Sequence, residues 1–130
     1  MILLTFSGFT IIQFPGGVPE KDNDIEIVCR FGRAGKLTSV TWYRDRPSGK
    51  NEKILTVDSQ LEVTYGDDRF KGRITVSGLD KDSIRDRKFT LLKVDGNDIS
   101  NYWCEVLPNI FLRNERNKLD VKGLNVLLVF

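Results

Sequence analysis

The sequence predicts an all-β protein in which two antiparallel sheets pack face to face. Three observations carry that reading. Short runs rich in Val, Ile, Thr, Phe and Tyr are separated by clusters of Gly, Pro, Asp and Asn, the punctuation of strands and turns. Within the runs, apolar residues fall on every second position and so share one face of a strand. With no helix of any length to cover them, these half-apolar strands must bury their faces against each other.

Strands are expected over residues 10–14, 24–31, 38–44, 53–57, 72–77, 88–94, 100–107 and 118–129. The first ends at Pro15-Gly16-Gly17. In the second, Ile25, Ile27 and Cys29 share a face, as Val40 and Trp42 do in the third. Arg46-Pro47-Ser48-Gly49-Lys50 turns the chain into the fourth, and Tyr65-Gly66-Asp67-Asp68 breaks it before the fifth, where Ile74 and Val76 alternate. The stretch 80–85 reads as a charged turn rather than a short helix. Phe89 and Leu91 follow, then the turn Asp95-Gly96-Asn97, then Tyr102, Cys104 and Val106, and finally Leu124, Val126 and Leu128. There is no internal repeat.

With 130 residues, the chain is one domain's worth. A hydrophobic fraction of 40% and a charged fraction of 29% fit a folded globular domain. A net charge of +2 argues against a general nucleic-acid binder. Residues 1–7 read as an apolar lead-in or signal remnant, and 8–130 as a single domain. No apolar run reaches the roughly 18 residues of a membrane span. The two cysteines, Cys29 and Cys104, are either free thiols of a reducing compartment or one bridge in an oxidising one. Spacing does not choose, but each lies on the inward side of its strand. A bridge between the sheets, with the Trp42 ring beside it, is therefore the economical reading.

Cys29, Trp42 and Cys104, with Tyr102 two residues before the second cysteine, resemble an immunoglobulin domain. The 75-residue gap between the cysteines resembles the variable (V-set) type, which carries an extra pair of strands. "TWYRDRPSGK" is similar to the strand and turn after the core tryptophan of antigen-receptor variable domains. "KGRITVS" and "FTLLKVDGNDISNYWC" are similar to their later framework, and Gln13 stands where such domains often carry Gln or Glu. The resemblance implies that Tyr102 turns inward and hydrogen-bonds the backbone just upstream. It also implies that Asp98 pairs with an arginine at the base of the sandwich, Arg73 or else Arg69. Ser100 is expected to be small because the chain bends there.

The resemblance implies two contact surfaces. One is the loop tip, formed by residues 32–37, 58–62 and 108–117. It carries Arg33, Lys36, Ile110, Phe111, Leu112, Arg113 and Arg116, a set suited to a protein or an anionic glycan; the opposing expectation is that Phe111 and Leu112 fold back onto the sheet. The other is the sheet face through which variable domains pair. There Tyr43, Asp45, Trp103 and Glu105 point outward, and Tyr43 and Trp103 form an aromatic patch unless the long loop before the last strand covers Trp103. Asp45 replaces the glutamine that usually contacts its copy, and two carboxylates at a two-fold axis repel. Asn51, Glu52 and Lys53 are polar where paired domains bury apolar groups, Ser48 reads as an insertion, and the joining motif is reduced to Gly123. A monomer is expected over a homodimer.

Catalysis finds no support. With no histidine, there is no Ser-His or Cys-His arrangement. There is no phosphate-binding Gly-rich loop, and no cofactor or metal is expected. Asp80, Asp82 and Asp86 read as a solvated turn, and no Asn-x-Ser/Thr sequon occurs. The expected function is extracellular recognition, as the ligand-binding domain of an immune-type, antigen-receptor-like receptor. The alternative is a homophilic adhesion or channel-accessory module.

Overall fold

A computed structural model describes residues 9–31, 39–76, 86–107, 110–111 and 116–123. Ten strands make two antiparallel sheets among these residues. They are β1 (Phe9–Phe14), β2 (Ile25–Phe31), β3 (Ser39–Asp45), β4 (Asn51–Asp58), β5 (Val63–Tyr65), β6 (Ile74–Thr75), β7 (Asp86–Leu91), β8 (Ser100–Leu107), β9 (Ile110–Phe111) and β10 (Asn117–Leu119). One sheet has the order β1-β2-β7-β6. The other runs β10-β8-β3-β4-β5, with β9 also paired to β8.

Much of the core comes from the inward faces that alternation assigns. Ile25, Ile27 and Cys29 of β2 meet Trp42 and Val40 of β3 and Tyr102, Cys104 and Val106 of β8, all buried in one cluster. The Cys29–Cys104 disulfide joins β2 of one sheet to β8 of the other, with Cα atoms 6.3 Å apart. Trp42 is fully buried, and Phe89 meets it edge to face at 5.5 Å, a geometry that suits the ring quadrupole.

One irregularity breaks the alternation. The β3–β4 register shifts between Trp42, opposite Leu55, and Tyr43, opposite Lys53. Ile54 is the extra residue of this bulge. That is why Ile54 and Leu55, neighbours in sequence, are both buried.

Several expected boundaries move. β5 was not anticipated; it is three residues long. The strand expected over 72–77 shrinks to Ile74–Thr75, because Gly72 and Arg73 belong to a turn. β4 is longer than expected at both ends. β7 starts and ends early, and Leu92 leaves the ladder to bond Arg73 O. The last strand stops at Leu119 instead of running on: the backbone turns at Lys122-Gly123, where Gly123 has φ +78°. Lys122 N–H there donates to Pro19 O at 2.8 Å. Residues 124–129, the charged turn 80–85 and the lead-in 1–7 lie outside the described residues.

Candidate functional site

The base of the sandwich is built around Asp98, which is 2% exposed. A short 3-10 turn, Gly96–Asp98, delivers it: Asp95 accepts from Asn97 N–H, while Asp98 Oδ2 accepts from Asp95 N–H at 2.9 Å. Arg73 Nη2 donates to the same Oδ2 at 2.7 Å and also to the Leu92 and Lys93 carbonyls. Arg73, not Arg69, is therefore the partner of Asp98. Arg69 pairs instead with Glu52 and Asp67. The hydrogen bond to Asp98 raises the Arg73 pKa, against the opposing effect of burial.

A second arginine was not anticipated. Arg44 is 4% exposed, and its Nη1 lies 3.5 Å from Asp98 Oδ1 and 3.2 Å from Tyr102 Oη, while its Nε donates to Glu52 at 2.8 Å. The signal was present: Arg44 is two residues after Trp42 and so on the inward face, where a cation needs a carboxylate. Tyr102 Oη donates to Asp98 O at 2.7 Å, the corner that the resemblance implied. Burial pushes the Tyr102 phenol up to about 12. Ser100 has a further role at this bend, donating its hydroxyl to Asp45 O.

The sheet face takes the second of its two expected forms, with Trp103 covered from the segment before the last strand. Trp103 does point away from Cys104, but it is 3% exposed, so it forms no open aromatic patch. Tyr43 stacks on it with ring centres 4.4 Å apart, Arg116 covers it at 4.7 Å, and its Nε1 donates to Asp45 Oδ1 at 3.0 Å. Arg116 Nε closes the group by donating to Asp45 Oδ2 at 3.0 Å. Two corrections follow. Arg116 belongs to this face and not to a free loop tip. Asp45 is neutralised within its own chain, which weakens the repulsion expected between two copies. Tyr43, Asp45 and Glu105 are each half-buried.

At the other end of the strands, the loop of residues 58–62 is held by Asp58, which accepts from Gln60 and Glu62 N–H at 2.8 and 3.0 Å. Leu61 sits there at φ +64°. The segment read as a loop over 108–117 is partly strand: Ile110 pairs with Val106 and Phe111 with Glu105. Along 110–111 the backbone thus folds back onto β8. Arg33, Lys36, Leu112 and Arg113 lie outside the described residues.

Gln13 links the sheets' edges. Its side chain holds Pro15 O and Gly17 O, and accepts from Asn117 Nδ2 of β10 at 3.0 Å. Among the described residues no group of three or more His, Cys, Asp or Glu is placed to hold a metal ion, and no helix is long and apolar enough to cross a membrane. No family model matches the chain, and no curated protein sequence does.

Proposed function

We propose that the chain is a V-type immunoglobulin recognition domain that works outside the cell, as the ligand-binding part of an immune-type receptor. One observation carries the reading: β4 and β5 extend the β10-β8-β3 sheet beyond β3, as the extra strand pair of variable arrangements does. The Cys29–Cys104 bridge supports it, since such a bond persists in oxidising compartments. Asp98, Arg73 and Tyr102 hold the base of the sandwich together, which supports a structural role for this carboxylate rather than acid–base chemistry.

Recognition is assigned, on the sequence resemblance, to the loops of residues 32–37, 58–62 and 108–117, whose sequences include the cations Arg33, Lys36 and Arg113. The ligand is a protein or glycan of complementary negative charge, and the domain works as a monomer. The test is binding of bead-displayed chain to arrayed proteins and sulfated glycans. Replacing Arg33 and Arg113 with Ala should abolish binding while the circular dichroism spectrum stays the same. Unchanged binding at low salt overturns the loop assignment. Clustering of the beads with one another, without added ligand, would favour homophilic adhesion instead.

A further inference from the structure

The end of the molecule opposite the loop of residues 58–62 holds a cleft of about 430 Å³. Its wall carries four guanidinium groups, those of Arg44, Arg46, Arg69 and Arg73, together with Phe70, Asn97 and the single carboxylate of Asp98. The Arg46 side chain also borders a neighbouring cleft whose wall adds Lys50 and Lys53, with Glu52 and Asp67. Six cations thus face three carboxylates across the two clefts. Such an excess is costly unless solvent or an anion answers it.

The four arginines fall into two kinds. Arg44 and Arg73 are fixed: Asp98 holds both, and the backbone carbonyls of Leu92 and Lys93 hold Arg73. Arg46 and Arg69 make no pair with Asp98 among the described residues, and Arg69, 54% exposed, pairs with Glu52 and Asp67. Arg46 reaches Glu52 only at 3.8 Å and Asn97 O at 3.5 Å. Phe70 seats both Arg44 and Arg69, whose guanidinium carbons stand 5.2 and 4.8 Å from its ring centre. Among the described residues, no hydrogen bond uses Arg44 Nη2, Arg46 Nη2, Arg69 Nη1 or Arg73 Nη1.

We propose that this cleft binds a tetrahedral oxyanion, a sulfate or phosphate group carried by a partner molecule, with Arg46 and Arg69 as its ligands and Arg44 and Arg73 as the fixed positive floor. Planar guanidinium forks match such oxygens in pairs. The like charges of Arg44 and Arg46, after burial, lower the Arg69 pKa, and an oxyanion between them relieves that repulsion. Glu52 is the internal competitor, since it pairs with Arg44, Arg46 and Arg69 at once.

The experiment is a backbone amide NMR titration of the whole chain with inorganic sulfate and inorganic phosphate, against sodium chloride at equal ionic strength. Saturable shifts at residues 44–46, 69–73 and 97–98 are expected for an oxyanion and not for chloride. Arg46→Gln and Arg69→Gln should each weaken binding about tenfold, the worth of one charge-assisted hydrogen bond. Glu52→Gln should tighten it. The Arg33→Ala, Arg113→Ala double variant, which tests the loop assignment, should leave it unchanged, so the two proposals fail separately. Parallel titrations with a sulfated monosaccharide and with phosphoserine identify which ester the cleft prefers. Equal shifts with chloride, or shifts that survive both Gln substitutions, overturn the proposal.

Discussion

Arg73 Nη2 stands 2.7 Å from Asp98 Oδ2, and this contact locks the turn before β8 to the turn before β6. Asp98 answers Arg44 as well, across the interior. Removing the carboxylate leaves Arg44 as a buried cation with, among the described residues, the Glu52 carboxylate alone to offset it.

Asp98→Ala should therefore cost about 3–5 kcal/mol of stability, the penalty for breaking a buried pair from one side. Urea denaturation measures it. Arg69→Ala, which removes a mostly exposed side chain, should cost well under about 1 kcal/mol. Equal losses would contradict the assignment of Arg73 as the partner.

Tyr102 makes stability depend on alkaline pH. Its folded pKa lies near 12, above the usual 10.0, because burial favours the neutral phenol. The folded state therefore keeps the proton longer than the unfolded one. That contribution is complete below pH 10 and is lost as pH rises through about 12, by roughly 3 kcal/mol in all. Tyr102→Phe should be less stable at neutral pH, by about 1 kcal/mol for the lost hydrogen bond, and its stability should fall less steeply over the alkaline range. Parallel pH–stability curves for the two proteins would contradict this.

Asp45→Ala should leave the buried Trp103 N–H without an acceptor and cost roughly 1–3 kcal/mol. Asp45→Asn keeps an acceptor but loses the charge that holds Arg116, and should cost less. Indole fluorescence and urea midpoints together separate the two effects. No difference between Ala and Asn would mean that the Trp103–Asp45 bond contributes nothing.

Gly66 N–H donates to Ile54 O at 2.8 Å, which brings the chain close against the bulge in β4. A Cβ at Gly66 would stand 2.0 Å from Lys53 O. Backbone must move to admit it, so Gly66→Ala should destabilise by roughly 1–3 kcal/mol. Gly72→Ala, where a Cβ meets nothing within 4 Å, is the control and should be nearly neutral.

The alternation in "IEIVC" and "YWCEV" made the inward faces, the disulfide and the core tryptophan legible, because a half-buried strand has a fixed period of two. The Asp98–Arg pairing was legible only to the choice between two arginines. What hid the rest was non-local. "VTY" makes β5 too short to stand out, and its strand character comes from pairing with Leu55, Thr56 and Val57. Strand phase places Trp103 opposite Cys104 but leaves open whether the segment before the last strand covers it, which Arg116 does. The arginine cleft gathers residues from three separate turns and a strand end, which no spacing rule connects.

The Cys29–Cys104 bond both joins the two sheets and supports the extracellular reading. The deciding measurement is intact mass of natively produced chain after thiol alkylation, with and without reductant, alongside urea stability. The prediction is that neither cysteine is alkylated until reductant is added, and that reduction then costs on the order of 4 kcal/mol, the loop-closure worth of so long a loop. Two alkylated thiols in the untreated protein, with stability indifferent to reductant, would contradict it.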